Sequence, residues 1–280
     1  MTPSPQQTQQ VGLALSGGTT FGIAHVGALK ALVENDIPID CISGTSAGAL
    51  VASCFAFGMP ISQMEEITKN INWRKFSRLA YSRLGFSSNM PMATFITDLL
   101  GDVRIEDAKI PLAITATDIE TYERVVLRSG SLHEAVRAST CIPGIFAPVE
   151  LDGRLLVDGG LAENLPVSPL VDMGSTFTIG VNLTSRASGK KPRNVIDVIW
   201  NSYAVLLRQQ TINSSAKLDI LIEPDLDRFD ASQFTHADEI LTEGYDATQM
   251  RIEAIRARLS TEPSASQGIL DRIRGFFRRS

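Results

Sequence analysis

The chain has 280 residues, of which 44% are hydrophobic, and it carries a formal net charge of −5. This length suffices for one large hydrophobic core, and the acidic balance provides no basic face of the kind that nucleic-acid binding requires. The three cysteines are odd in number, lie in apolar stretches and lack metal-ligand spacing, so we expect reduced core residues and a cytoplasmic protein without a metal or cofactor.

The first part of the chain predicts alternating strands and helices. Residues 1–10 are polar and Gln-rich, so we expect a disordered leader without a secretion signal. Val11 to Leu15 is a short apolar run, typical of a buried strand, and a helix with apolar residues at helical spacing follows it. A second strand, at about Ile39 to Ser43, and a helix that stops at Gly58 continue the alternation. This order of elements favours a parallel sheet.

Residues 61–101 differ from the rest, because they are helical in pattern but are broken by Gly85 and Pro91. They predict either a lid beside the site or ordinary packing helices. The later elements are strands at Leu112–Thr117 and Arg124–Arg128, a helix at Ser131–Ala138, a hairpin of Ala147–Val149 and Leu155–Val157, a strand at Thr176–Leu183, a helix at Asn194–Ala216, a strand at Leu218–Ile222 and one long helix at Ala237–Leu259. No apolar run is long enough to span a membrane.

A Gly-x-Ser-x-Gly sequence lies where the second strand turns into the second helix. A serine on such a tight turn stands exposed above the sheet, and Gly44 and Gly48 remove the side chains that would collide there. We interpret this stretch as a nucleophile elbow with Ser46 as the nucleophile. The alternative is a buried helix start with a capping serine.

A glycine-rich stretch, Ser16 to Gly22, follows the first strand and opens the first helix. Its backbone N–H groups converge at a helix N-terminus, where negative charge is favoured. The glycine spacing does not fit a nucleotide-binding motif, so with a serine elbow one βα unit later we interpret it as an oxyanion hole. A tight turn without a function is the alternative.

Acyl transfer also requires a base for Ser46. Asp158 ends the predicted hairpin and is followed by Gly159 and Gly160, which allow main chain to approach closely. An ordinary carboxylate is a weak base at pH 7, so burial would have to raise its pKa; the alternative is a turn or cap carboxylate. Histidine is the usual base, and His236 fits the chain order of α/β-hydrolases, in which an acid and then a histidine follow the serine.

Together the three stretches resemble the patatin-like phospholipase family, whose pattern is a glycine-rich oxyanion loop, a Gly-x-Ser-x-Gly elbow and an Asp-Gly-[Gly/Ala] motif. Ala138 to Pro148 and Asn164-Leu165-Pro166 also resemble the family, and the match spans about Val11 to Val181. The resemblance implies a three-layer helix/sheet/helix fold with a central, mainly parallel sheet, which we place at residues 11–260. It also implies a lipid acyl hydrolase that acts on lipid esters through a Ser46–Asp158 dyad, without a catalytic histidine or a metal. In that scheme the backbone amides around Gly17, Gly18 and Thr19 hold the oxyanion.

Two positions depart from the family pattern: Thr19 stands where a third glycine is usual, and Phe21 where an arginine is usual. If the backbone needs a positive φ at position 19, a β-branched residue is strained there. A weak or inactive family member that binds lipid is therefore a second hypothesis, and a hydrolase that depends on His236 is a third.

The last twenty residues predict a linker and an amphipathic tail. Residues 261–268 are rich in Ser, Pro and Ala, and residues 269–280 place Ile269, Ile273 and Phe277 on one helical face. Four arginines against one aspartate give the tail a positive charge, so we expect it either to contact the inner membrane surface peripherally or to dock on the protein's own core. The sequence leaves open the oligomeric state, the acyl-chain length and the head group.

Overall fold

The computed structural model describes residues 9–70, 78–79, 85, 87–184, 191–229 and 236–260. The described strands, in chain order, are β1 (Val11–Leu15), β2 (Cys41–Thr45), β3 (Arg78–Leu79), β4 (Ser87–Ser88), β5 (Leu112–Asp118), β6 (Arg124–Leu127), β7 (Val149–Leu151), β8 (Arg154–Asp158), β9 (Phe177–Val181) and β10 (Ile220–Ile222). Eight of them form one sheet in the order β10-β9-β1-β2-β5-β8-β7, with β6 also paired to β5, while β3 and β4 pair separately.

The sheet is parallel through its centre and antiparallel at one edge. Strands β10, β9, β1, β2 and β5 run parallel, whereas β6 and β8 run antiparallel to β5 and β7 runs antiparallel to β8. Every residue of β1, β2 and β5 is buried, which is typical of parallel strands covered by helices on both faces. The predicted central, mainly parallel sheet between helices is therefore confirmed.

The described helices cover this sheet and carry most of the connections. They are α1 (Ile23–Glu34), α2 (Ala47–Ala56), α3 (Ile61–Asn70), α4 (Met90–Leu100), α5 (Leu132–Ser139), α6 (Gly160–Glu163), α7 (Ser168–Asp172), α8 (Val195–Ser215), α9 (Ala237–Gln249) and α10 (Ile252–Ser260). Helices α3 and α4 bury Met64 and Ile96 in the main core, so these parts of the 61–101 segment act as packing helices. Cys41, Cys54 and Cys141 are buried and unpaired, as predicted.

The prediction of one long helix at Ala237–Leu259 was wrong, because the structure divides it into α9 and α10 at Met250. The hydroxyl of Thr248 donates a hydrogen bond of 2.8 Å to the carbonyl of Gly244. Such back-bonding to the preceding turn bends a helix. Met250 then caps α9 with its side chain 78% exposed, so packing does not hold the two helices in line.

Parts of the predicted termini lie outside the described residues. These are residues 1–8 of the leader, the linker at 261–268 and the tail at 269–280. Gln10, at the end of the predicted leader, accepts backbone hydrogen bonds from Thr176 and Phe177 beside the sheet. Within the described ranges, no helix is both long enough and apolar enough to cross a membrane.

Candidate active site

Ser46 lies on a strained turn between β2 and α2. Its φ of 53° and ψ of −120° place a non-glycine residue in a conformation that L-residues rarely adopt. A Cβ atom added to Gly48 would lie 2.2 Å from the carbonyl oxygen of Leu15, and one added to Gly44 would lie 2.4 Å from that of Gly48. The turn therefore needs glycine at both positions, as the elbow interpretation requires. Ser46 is only 8% exposed, however, so it does not stand freely above the sheet.

Ser139, at the end of α5, holds the backbone of Ser46. Its hydroxyl accepts a hydrogen bond of 2.8 Å from the Ser46 N–H and donates one of 2.7 Å to the carbonyl of Thr115 in β5. Both bonds are buried, so they tie the strained turn to the sheet. Sequence analysis missed this role, because 93 residues separate the two serines. The only signal was that Ser139 lies in the segment Ala138 to Pro148.

Asp158 is the last residue of β8 and is 2% exposed. Its carboxylate accepts hydrogen bonds from the Ser46 hydroxyl and, at 2.8 Å, from the Gly160 N–H. Burial raises the pKa of Asp158 to about 6, against the hydrogen bonds from Gly160, Ser46 and Tyr203, which favour the ionised form. A buried carboxylate with this pKa is ionised at pH 7 and is a stronger base than an ordinary aspartate. It can accept a proton from the hydroxyl that it contacts.

Tyr203, on α8, is a second residue that sequence analysis missed. Its side chain is hydrogen-bonded to the Asp158 carboxylate, and burial raises the Tyr203 pKa well above its usual value, so the phenol remains a donor. One turn later, Leu207 packs so closely on Gly160 that a Cβ atom added to this glycine would lie 2.3 Å from Leu207 Cδ2. Two turns later, Thr211 accepts a hydrogen bond of 2.8 Å from the Asn164 side chain. The spacing of these α8 residues, i, i+4 and i+8, was the available signal for a helix face on this segment.

The glycine-rich loop lies directly beside Ser46. A Cβ on Gly17 would be 3.3 Å from the Ser46 Cβ. The Gly17 N–H donates to the carbonyl of Asn164 at 3.1 Å, whereas no residue that the structure describes accepts from the N–H groups of Gly18 and Thr19. The prediction that Gly17 also offers its N–H is therefore corrected: that donor is already used to attach the loop to Asn164.

The two departures from the family pattern have structural consequences. Thr19 has a φ of 51°, the strained value considered above for a β-branched residue. Phe21 is 8% exposed and belongs to the main hydrophobic core, so it anchors the glycine-rich loop to that core. An arginine at this position would place a charge among apolar side chains.

The structure brings Ser46 and Asp158 together but leaves His236 elsewhere. His236 bonds to Glu239 at 2.7 Å, and His133 contacts Ser131 at 3.1 Å. His25 donates from Nε2 to the Ser16 carbonyl at 2.8 Å, and burial lowers its pKa to about 4, so it is neutral. Among the bonds formed by described residues, none joins a histidine to Ser46 or Asp158, and the hypothesis of a His236-dependent hydrolase gains no support.

An apolar pocket lies beside the elbow, where Gly22 and Ala47 line it together with other residues of α2. Its walls come from α1, α2, α3, α4 and the loop before α3. The lining residues are Gly22, Val26, Ala47, Leu50, Val51, Cys54, Met59, Met64, Ile67, Thr68, Phe95 and Leu99. With Thr68 as the one polar side chain among them, the pocket suits a hydrocarbon chain rather than a polar ligand.

Comparison with known proteins finds relatives in bacteria and fungi. The chain is 34% identical over 214 residues to an uncharacterised NTE family protein of Mycobacterium bovis, covering 75% of this chain and 58% of that protein. It is also 34% identical over 197 residues to lysophospholipase NTE1 of Cryptococcus neoformans, covering 68% of this chain and 12% of that protein. The chain thus spans little more than half of the mycobacterial relative and a small part of the fungal one.

Two solved structures share the fold. VipD from Legionella pneumophila superposes with a TM-score of 0.60 and 16% identity, covering 88% of this chain and 67% of that chain. ExoU, in its complex with SpcU from Pseudomonas aeruginosa, superposes with a TM-score of 0.51 and 16% identity, covering 91% of this chain and 54% of that chain. A family model for patatin-like phospholipases matches residues 13–171, more than half of the chain and the whole of the segment from the glycine-rich loop to Asn164. The chain therefore belongs to the patatin-like phospholipase family.

Proposed function

We propose that this protein is a serine lipid acyl hydrolase of the phospholipase, lysophospholipase or esterase type, with Ser46 and Asp158 as its catalytic dyad. The observation that carries the proposal is the hydrogen bond between a serine on a strained elbow and a buried aspartate whose pKa is about 6. An unperturbed aspartate would be too weak a base, whereas this one has a pKa closer to the working pH.

In the proposed reaction, the Ser46 hydroxyl attacks the ester carbonyl carbon while Asp158 accepts its proton. The C–O bond to the leaving alcohol then breaks, and Asp158 protonates that alcohol. Water attacks the acyl-serine with Asp158 again as the base, which releases the fatty acid and restores Ser46. The N–H groups of Gly18 and Thr19 donate to the oxyanion, aided by the N-terminus of α2.

The apolar pocket supports a fatty-acyl substrate. Because Ala47, the residue directly after the nucleophile, lines the pocket, an acyl chain bound there would lie close to Ser46. A chain bound in this pocket would be surrounded mainly by aliphatic and aromatic side chains, which favours hydrocarbon over a polar group. The name lysophospholipase on a fungal relative is consistent with such a substrate.

A fluorophosphonate probe followed by peptide mapping tests the reaction type without knowledge of the substrate. We expect the probe to label Ser46, because the proposed dyad activates this hydroxyl. The competing hypothesis, an inactive family member that binds lipid, has the strained Thr19 in its favour. Absence of labelling at Ser46 in a protein that still binds lipid would favour that hypothesis.

The substitution Val51→Trp should shorten the acyl chains that the enzyme accepts. Val51 lines the pocket one turn after Ala47 on α2, and an indole there would fill space that a long acyl chain would otherwise occupy. A buried methylene contributes about 0.8 kcal/mol, so excluding about three of them should lower kcat/KM for a long-chain ester roughly 50-fold. Activity on an acetate ester reports on correct folding. Val33→Trp, at a site 45% exposed on α1, is the matched control. If Val51→Trp kept the activity of wild type on both the long-chain ester and the acetate ester, this use of the pocket would be contradicted.

The substitution Tyr203→Phe should shift the acid limb of the pH profile of kcat/KM upward by about one unit. The lost hydrogen bond favours ionised Asp158, and bonds to charged groups are worth about 1.5–3 kcal/mol, so its removal raises the pKa of Asp158 further. Tyr245→Phe removes a similar hydroxyl, which donates to Glu34 on the surface, and should leave the profile unchanged. An unshifted limb in Tyr203→Phe would mean that this tyrosine does not tune the base.

A further inference from the structure

The outward side of α8 is unusually apolar for a protein surface. Of the eleven large hydrophobic side chains that are exposed in the described part of the chain, six lie on this helix. They are Val195, Val198, Ile199, Val205, Leu206 and Ile212, and we refer to them as the outer face of α8. Their exposed fractions run from 45% for Leu206 to 74% for Val195, so none is covered by the parts of the chain that the structure describes.

The outer face forms a stripe along the helix, interrupted by the exposed polar residues Ser202, Gln209 and Asn213. At about 100° per residue, its six side chains fall within a sector about 140° wide, and the stripe extends about 26 Å along the helix. Single exposed hydrophobic residues are ordinary, but a stripe of this kind marks an interaction surface. A surface helix normally turns its apolar residues to the core, and here a second apolar set faces away from it.

The opposite side of α8 covers the proposed catalytic site. Tyr203 bonds to Asp158, Leu207 packs at Gly160, and Thr211 bonds to Asn164. Tyr203 lies within three residues of Val205 and Leu206, so the outer face is separated from Asp158 by about one helix diameter, ~10 Å. Whatever binds the outer face is therefore held next to the site.

The charge around α8 identifies the kind of partner. Residues 190–217 contain five basic residues and one acidic residue, a net charge of +4 in a chain whose net charge is −5. Lys191, Arg193 and Arg208 belong to this set and are exposed. An apolar stripe bordered by basic side chains matches a lipid surface, where hydrocarbon lies beneath anionic head groups.

We propose that the outer face of α8 docks the protein on an anionic lipid surface. This inference rests on the proposed function, because it places the Ser46–Asp158 site at the surface that holds a lipid ester substrate. Docking would insert the apolar stripe at the head-group boundary and place the basic residues against the phosphates. The inner side of α8 would remain on Asp158, Gly160 and Asn164 throughout.

The test is flotation of the full chain with phosphatidylcholine vesicles that contain phosphatidylglycerol, compared with vesicles of phosphatidylcholine alone. The double variant Ile199→Glu, Val205→Glu puts two charges on the outer face. We expect wild type to float with the anionic vesicles, salt to weaken that binding, and the double variant to bind at least about tenfold less. Val171→Glu, on α7 and 59% exposed in wild type, is the matched control and should float normally.

Hydrolysis of a soluble monomeric ester separates docking from chemistry. The double variant should retain this activity and lose hydrolysis of vesicle lipid. If it also loses the soluble activity, Arg208→Glu, which leaves the apolar stripe intact, replaces it and should reduce binding to anionic vesicles. A wild type that floats but hydrolyses no ester would refute the proposed function and leave docking in place.

Three results would overturn the docking proposal. One is normal flotation of both the double variant and Arg208→Glu. A second is flotation that is lost only in a chain ending at Ser266, which would assign membrane binding to the tail at 269–280. The third is a fall in mass by light scattering from a dimer to a monomer in the double variant, with no change in flotation, which would make the outer face a contact between two copies.

Discussion

We expect replacement of Ser46 by alanine to lower ester hydrolysis by at least about 10³-fold, because loss of the proposed nucleophile removes the covalent route altogether. The variant should fold normally, since the substitution removes only the hydrogen bond from the Ser46 hydroxyl to Asp158, whereas the backbone N–H keeps its hydrogen bond to Ser139. Turnover of a soluble ester and labelling by a fluorophosphonate should be lost together. Lipid binding should persist.

Ser53→Ala is the matched control for this experiment. Ser53 is buried on α2, the helix that follows Ser46, and its hydroxyl donates a hydrogen bond of 2.7 Å to the carbonyl of Ala49. We expect near-normal activity and a small loss of stability. Substantial hydrolysis by a folded Ser46→Ala protein would show that another group performs the attack, and the dyad would be abandoned.

The substitution Asp158→Asn should abolish hydrolysis to a similar degree and also change how stability depends on pH. The folded-state pKa of Asp158, about 6, lies above the ordinary value of 3.8. Between these values the folded state holds a proton that the unfolded state has released, so the free energy of unfolding falls as pH rises from about 4 to about 6. Ionisation of Asp158 therefore lowers the free energy of unfolding of wild type by about 3 kcal/mol at pH 7, relative to the same protein at low pH.

An asparagine has no proton to release, so the stability of Asp158→Asn relative to wild type should increase across that range. Chemical denaturation at about pH 4 and about pH 7 measures the difference. Asp152→Asn, at the exposed turn of the same hairpin, should show no such trend. If Asp158→Asn lost equal stability at both pH values, Asp158 would act as a structural cap for the Gly160 N–H rather than as a strained base.

Most of the local elements of this protein could be predicted from the amino-acid sequence. Val11–Leu15 was predicted with its observed bounds, because a short apolar run between turn residues has few other ways to be buried. The elbow could also be read locally, since Gly44 and Gly48 flank Ser46 within five residues. The family followed from the order of three such stretches, and the family match confirms it.

Which distant groups meet could not be predicted in this way, because it depends on how the elements pack together. Ser139 holds Ser46 across 93 residues, and Tyr203 bonds to Asp158 from a helix 45 positions later along the chain. Periodicity indicates which side of a helix is apolar but not what lies against each side. For the same reason the sequence did not show that the Gly17 N–H donates a hydrogen bond to the Asn164 carbonyl, or that α8 has a second apolar stripe on its outward side. These features depend on how the helices pack on the sheet, where burial sets both the partner of each polar group and the pKa of Asp158.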